Sequence, residues 1–406
     1  MFKCFLENLF NISTEKDSYR MNGGHIIIKI LGIKFKIKTL KVSASTKKEK
    51  IYNCTGIIAP NGIGDYLFVR PFFKYMKQSA KYKNTNFILF VQAHHYNFVK
   101  LYDSEYFKDI VVYNKNASQL LFNINEILKN YDFKSVINLC ARPISSNLKF
   151  DKTRYDLVKK IKAKEKIADV ILQNDKEINK KFSVYTRLIY TPSCLFELDR
   201  RRNFFSQLLD FDIPQEVLNI TDLFNFNKKY ITISLMAMNE ARNYRKENWL
   251  KILNHILNNT EKTIQLLFIG SNVDYKDTED IINCLSRKNR CFNCCGLTDI
   301  SLVPIILKNS IFLLSPETGT VHIAESVGCE TICLCGSAHY GRFVPHKKFV
   351  QYVFPQEFEK KICEDSIQDI DKYYFNNFEF PVTSINPDDV ISVIDKKLEI
   401  IEGERT

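Results

Sequence analysis

From residue 55 onward the chain alternates short unbroken apolar runs with stretches whose apolar residues recur every three to four positions. The runs TGIIAP (55–60), NFILFV (86–91), DIVVY (109–113) and SVINL (135–139) predict buried strands. Between the first two, residues 65–77 predict a helix with a local irregularity at Pro71. Residues 151–200 are lysine-rich and show no clear period, and residues 210–229 read as a linker. A second series follows, with strands predicted in YITISLM (230–236), TIQLLFI (263–269), IFLLS (311–315) and TICLC (331–335). Helical patterns cover 247–258 and 302–308, and a last helix is predicted in DDVISVIDKKLEI. Strand–helix alternation of this kind predicts α/β layers with mainly parallel sheets.

The first 50 residues read as an appendage. Phe2, Phe5, Leu6, Leu9 and Phe10 make one helical stripe. Ile33, Phe35 and Ile37 alternate with lysines in HIIIKILGIKFKIK, which predicts a hairpin turning near Gly32. The segment holds 11 Lys and Arg against 4 Asp and Glu, seven of the chain's +12 charges. A basic end of this kind fits an anionic partner such as a membrane surface, or a solvated face. The stripe either packs on its own protein or lies on a membrane.

A chain of 406 residues suits two domains. No run approaches the ~18 uninterrupted apolar residues of a membrane span, and no secretory signal pattern opens the sequence. The expected location is cytoplasmic. Of the 12 cysteines, several sit in apolar runs, and Cys291, Cys294 and Cys295 lack a second pair at zinc spacing. They read as core thiols, with no metal expected. The basic residues carry no nucleic-acid recognition motif, so no nucleic-acid partner is expected.

Four segments carry candidate chemistry. NGIGD (61–65) follows the first strand, so Asn61, Gly62 and Gly64 would form a tight turn and Asp65 would stand at the carboxyl edge of the sheet. Leu67 occupies the third glycine position of a dinucleotide fingerprint, which argues against an oxidoreductase. In SPETGTVHIAESVG (315–328), Thr318, Gly319 and Thr320 would open a helix whose free amides favour phosphate. His322 lies one turn further on and reads equally as a ligand contact or a structural histidine. RNYRKENW (242–249) offers Arg242 to a diphosphate. GSAHYGRFVPH (336–346) offers His339 and Arg342 as contacts to donor or acceptor.

In order and spacing, these segments resemble glycosyltransferase family nine, the heptosyltransferase group of lipopolysaccharide synthesis. The resemblance spans residues 55–350 and rests on NGIGDYLFVRPFFKYMK, on the INL of SVINLCARP, and above all on GLTDISLVPIILKNSIFLLSPETGTVHIAESVG. It implies GT-B architecture, with two facing Rossmann-like domains. The expected division is a basic extension over 1–50, extra to the compact family pattern, an acceptor-side domain over 51–215, a linker over 216–229, a nucleotide-sugar domain over 230–350 and a tail over 351–406. It implies inverting, metal-independent transfer without a cofactor, from a nucleotide-diphosphate sugar to a lipid-linked or glycan acceptor. The enzyme would be peripheral on the inner face of the cytoplasmic membrane.

By resemblance, Asp65 is the general base, and Arg242, Glu317, Thr318, Gly319, Thr320 and His322 form the donor site. Three departures concern the donor end: Glu317 in place of Asp, Arg242 in place of Lys, and GSAHYGRF in place of a Gly-Pro-Thr-like loop. They leave open a hexose nucleotide used for capsule, O-antigen or glycoprotein synthesis. A non-catalytic sugar-binding module on the same fold is the alternative of another class.

Overall fold

The computed structural model describes residues 25–30, 33–38, 49–113, 124–139, 152–171, 182–192, 195–221, 223, 230–346, 348–364, 371–374 and 377–403. The helix predicted from Phe2 to Phe10 lies outside them, as does part of the linker. The chain divides into two compact units, Met1–Lys50 and Ile51–Thr406. In the first, β1 (His25–Ile30) and β2 (Ile33–Lys38) pair antiparallel, as the alternation predicts. Their register sets Ile28 opposite Phe35, Ile26 opposite Ile37 and Lys29 opposite Lys34.

The second unit holds two six-stranded sheets. The first is built from β3 (Ile51–Ile58), β4 (Asn86–Gln92), β5 (Asp109–Tyr113), β6 (Tyr131–Asn138), β7 (Glu165–Ile171) and β8 (Arg187–Thr191), in the order β5-β4-β3-β6-β7-β8. The second is built from β9 (Tyr230–Ile233), β10 (Gln265–Phe268), β11 (Cys291–Asn293), β12 (Leu313–Pro316), β13 (Thr331–Leu334) and β14 (Val350–Val353), in the order β11-β10-β9-β12-β13-β14. Every pairing in both sheets is parallel. Each chain starts at the sheet centre, winds to one edge, then returns to fill the other side. Loops leaving the two central strands therefore diverge and open a crevice at the carboxyl edge. NGIGD leaves β3, Arg242 lies beyond β9, and Glu317 directly follows β12.

Seven helices matter here: α1 (Ile63–Val69), α2 (Phe73–Gln78), α3 (Tyr96–Tyr102), α4 (Glu197–Leu209), α5 (Lys246–Asn259), α6 (Gly319–Val327) and α7 (Pro387–Gly403). Pro71 has the predicted effect: a 3-10 turn, Arg70–Phe72, separates α1 from α2. Helix α5 buries Trp249, Ile252, Leu253, Ile256 and Leu257, one apolar stripe at helical spacing. Each large side chain so buried contributes roughly 1.5–3 kcal/mol relative to exposure. Val390, Ile394 and Leu398 of α7 enter the same core, so residues beyond 351 complete the second sheet's packing. Thr318 caps the start of α6 by accepting from the Thr320 amide, and Gly328 ends it in the left-handed region at φ 68°.

The Gly336 turn is closed by the chain itself. A β-carbon at Gly336 would stand 2.6 Å from the Phe380 carbonyl oxygen. Ser337 N donates to that carbonyl at 2.9 Å, and Phe380 N donates back to Ser337 Oγ at 3.1 Å. The absence of a side chain at Gly336 admits the backbone of residues 380–382.

Candidate active site

Helices α1 and α6 start against each other. A β-carbon on Gly64 would lie 2.6 Å from His322 Cδ2, and one on Gly319 would lie 2.5 Å from Ile63 Cγ2. Both positions require glycine for this approach, which brings Asp65 of the first sheet's edge to the Thr318–His322 turn of the second. Asp65 is partly buried in the first turn of α1, where a carboxylate is favoured by the helix dipole. Its helix is held in place from behind. Tyr66 Oη donates to Asp103 at 2.8 Å, and Arg70 Nε donates to the same carboxylate at 2.6 Å. Asn61 accepts from Tyr113 Oη at 3.2 Å, which ties the turn to the end of β5.

His95, just beyond β4, was not singled out by the sequence. It is 2% exposed and its Nδ1 has no hydrogen-bond partner. Burial and the neighbouring His94 push its pKa down to about 3, against the pull of the Asp65 charge. Nothing in the local sequence separates it from the adjacent His94.

On the second sheet, Glu317 is the hub. It is 4% exposed and gathers three partners. Arg242 Nη1 donates to Oε2 at 2.5 Å and to the Glu317 carbonyl at 3.1 Å. His339 Nδ1 stands 3.4 Å from Oε2, and His322 Nε2 stands 3.5 Å from Oε1. Burial opposes ionisation of Glu317, but His322, His339 and the Arg242 charge outweigh it and hold the carboxyl well below its usual range. Arg242 keeps 22% of its side chain exposed. With Glu317 it forms the charged part of a cleft whose apolar wall includes Phe378 and Val382. Thr318, Gly319 and Thr320 are partly exposed at the start of α6.

His322 is 3% exposed, with both ring nitrogens engaged. Opposite Glu317, its Nδ1 is 2.7 Å from His346 Nε2. Phe68 of α1 stacks on His346, with centroids 6.0 Å apart, and meets His322 edge-on at 5.1 Å. His346 closes the GSAHYGRFVPH segment, but its pairing with His322 is through space and left no mark in the sequence pattern.

The same loop feeds a second ionic knot. Arg342, read as a donor or acceptor contact, is 2% exposed, and its Nε donates to Glu197 at 3.0 Å. Glu197 also binds Arg200 and Arg201, and both arginines reach Asp169. Arg342 is thus buried against Glu197, and it joins the second sheet's loop to α4 of the first.

Cys291, Cys294 and Cys295 are buried, and burial raises their thiols to about 12, 12 and 11. They pack as neutral thiols, in line with the core reading. Among the described residues, no group of three or more His, Cys, Asp or Glu could hold a metal ion. Nor is any helix among them long and apolar enough to cross a membrane.

Two doubly wound sheets meeting at their crevices define a GT-B glycosyltransferase fold. Residues 190–373 match the model of glycosyltransferase family 9 (heptosyltransferase), which bears out the resemblance seen in the sequence and supports a glycosyltransferase. Solved structures agree on the fold. The glycosyl transferase family 9 protein of Veillonella parvula matches at TM-score 0.64 and 14% identity, over 86% of this chain and 98% of that one. E. coli heptosyltransferase WaaC with ADP matches at TM-score 0.61 and 12% identity, over 85% and 99%. E. coli ADP-heptose LPS heptosyltransferase II matches at 0.60 and 12%, over 86% and 99%. No curated protein sequence matches the chain.

Proposed function

We propose that the chain transfers a sugar from a nucleotide-diphosphate donor to a cell-surface glycan or lipid-linked acceptor, with inversion and without a metal. The reading is carried by the abutting starts of α1 and α6, which set one carboxylate beside one phosphate-binding helix end. Residues 51–215 take the acceptor side, 216–229 the linker and 230–350 the donor side, with 351–406 as a C-terminal tail. Asp65 accepts the proton of the acceptor hydroxyl as it attacks the anomeric carbon. The departing nucleoside diphosphate is held by Arg242 and by the amides of Gly319 and Thr320. Glu317 orients Arg242, and His322 orients Glu317. The basic residues of 1–50 suit an anionic surface bearing the acceptor.

The test is Asp65→Asn. General-base help is worth ~10²–10⁴-fold, and transfer should fall by that factor while ADP or UDP binding persists. A variant that transfers at near wild-type rate would remove Asp65 from the role. For the donor sugar, a hexose nucleotide is favoured as the second reading by one observation: His339, from the departing loop, grips Glu317. Calorimetry with a panel of nucleotide sugars separates heptose from hexose donors.

A further inference from the structure

His346 takes no part in the transfer proposed for Asp65, Arg242 and the start of α6. Its Nε2 and His322 Nδ1 are 2.7 Å apart, so one proton lies between two ring nitrogens, and one ring donates while the other accepts. Two protonation states satisfy this arrangement. In the first, both rings are neutral: His322 carries its proton on Nε2, toward Glu317, and its Nδ1 accepts from His346 Nε2–H. In the second, one solvent proton has been added. It enters at His346 Nδ1, the shared proton crosses to His322 Nδ1, and His322 becomes an imidazolium between Glu317 and a neutral His346.

The surroundings decide which state holds. Glu317, Arg242 and His339 face the pair from the turn before α6 and from the loops after β9 and β13. Glu325 lies one turn along α6, and Tyr352 accepts from the His346 amide at 3.1 Å. Helix α1 presents Gly64 and Phe68, with Asp65 beside the glycine. Burial and the neighbouring His322 hold His346 well below its ordinary value, with Glu317 pulling the other way. Burial of His346 therefore opposes an added proton on the pair. A diphosphate at Thr318–Thr320 would bring new negative charge within about one helical turn of His322 and engage Arg242. That favours the imidazolium.

We propose that His346 is a positioning residue that makes donor binding proton-linked: it fixes the His322 ring and lets His322 gain one proton when a nucleoside diphosphate occupies the start of α6. This rests on the donor site proposed above. The test uses the full chain with ADP as probe, titrated calorimetrically from about pH 6 to 9 in buffers of different ionisation enthalpy. Wild type takes up as much as about one proton per ADP, and its affinity falls by up to about tenfold per pH unit on the alkaline side. In His346→Gln the amide occupies the Nε2 position and keeps the hydrogen bond without titrating, so binding survives and the slope flattens. His346→Phe keeps the ring packing, loses the bond and binds more weakly at every pH. ADP binding without proton uptake in wild type, or a wild-type slope in His346→Gln, overturns the proposal. If ADP, UDP and GDP all fail to bind, the donor-site reading is what fails. Ring ¹⁵N spectra of the free protein then judge the pair: linked titration of His322 and His346 supports the positioning role, and two independent titrations overturn it.

Discussion

Glu197 and Glu317 are both buried carboxylates that collect three cationic or basic partners, yet the two knots differ in kind. Glu197 is 0% exposed, and Arg200, Arg201 and Arg342 are each no more than 2% exposed. Its partners cannot change charge at any ordinary pH. Glu317 has two histidines and one arginine whose side chain stays 22% exposed at the cleft. The first arrangement fixes the meeting of two sheets. The second leaves part of its positive charge available for an incoming anion.

The two knots should differ most in stability. Glu197→Leu strands three buried guanidiniums against Asp169 alone, and should cost about 3–5 kcal/mol in denaturant unfolding. Glu317→Gln should cost less, about 1–3 kcal/mol, because Arg242 reaches water. It should also weaken ADP binding, which Glu197 variants that fold should not. Equal stability losses at the two sites, with no change in ADP affinity, would erase the distinction.

A smaller effect sharpens it. His95 and His346 are buried with depressed pKa values, so folding favours their neutral forms. Their stabilising contribution is complete above the unfolded value, 6.5 for His95, and is lost as pH falls toward the folded one, about 3. Glu317 and Glu197 are likewise held below the unfolded carboxyl value of 4.5, so their contribution fades only below that. Unfolding free energy should therefore begin to decline near pH 6.5, before the carboxylates protonate. His95→Phe should reduce that early slope, and an unchanged profile would contradict the assignment.

Much of the fold could be read locally. Strands β3, β4, β5 and β6 show as apolar runs because both faces of a parallel sheet are covered. Strands β7 and β8 did not show. EKIADVI opens with charges and carries Asp169, whose burial depends on Arg200 and Arg201 from a distant helix. Strand β11 is three residues long and β14 reads VQYV, too short for a period to emerge. The turns at Asp65 and at Thr318–Thr320 were legible because strand, turn and helix start are consecutive in the chain. His339, Arg342 and His346 lie within one loop, yet serve Glu317, Glu197 and His322 respectively. Only the three-dimensional partners sort them, and no spacing rule could.

The closure of Gly336 by residues 380–382 has a consequence for the order in which the protein is made. The first sheet emerges from the ribosome early, but the wall containing Phe378 and Val382 exists only after residue 382 has emerged. A nascent chain interrupted anywhere before that point carries the arginine and the glutamate without their apolar wall. Synthesis itself thus withholds a finished cleft until residues 378–382 are in place.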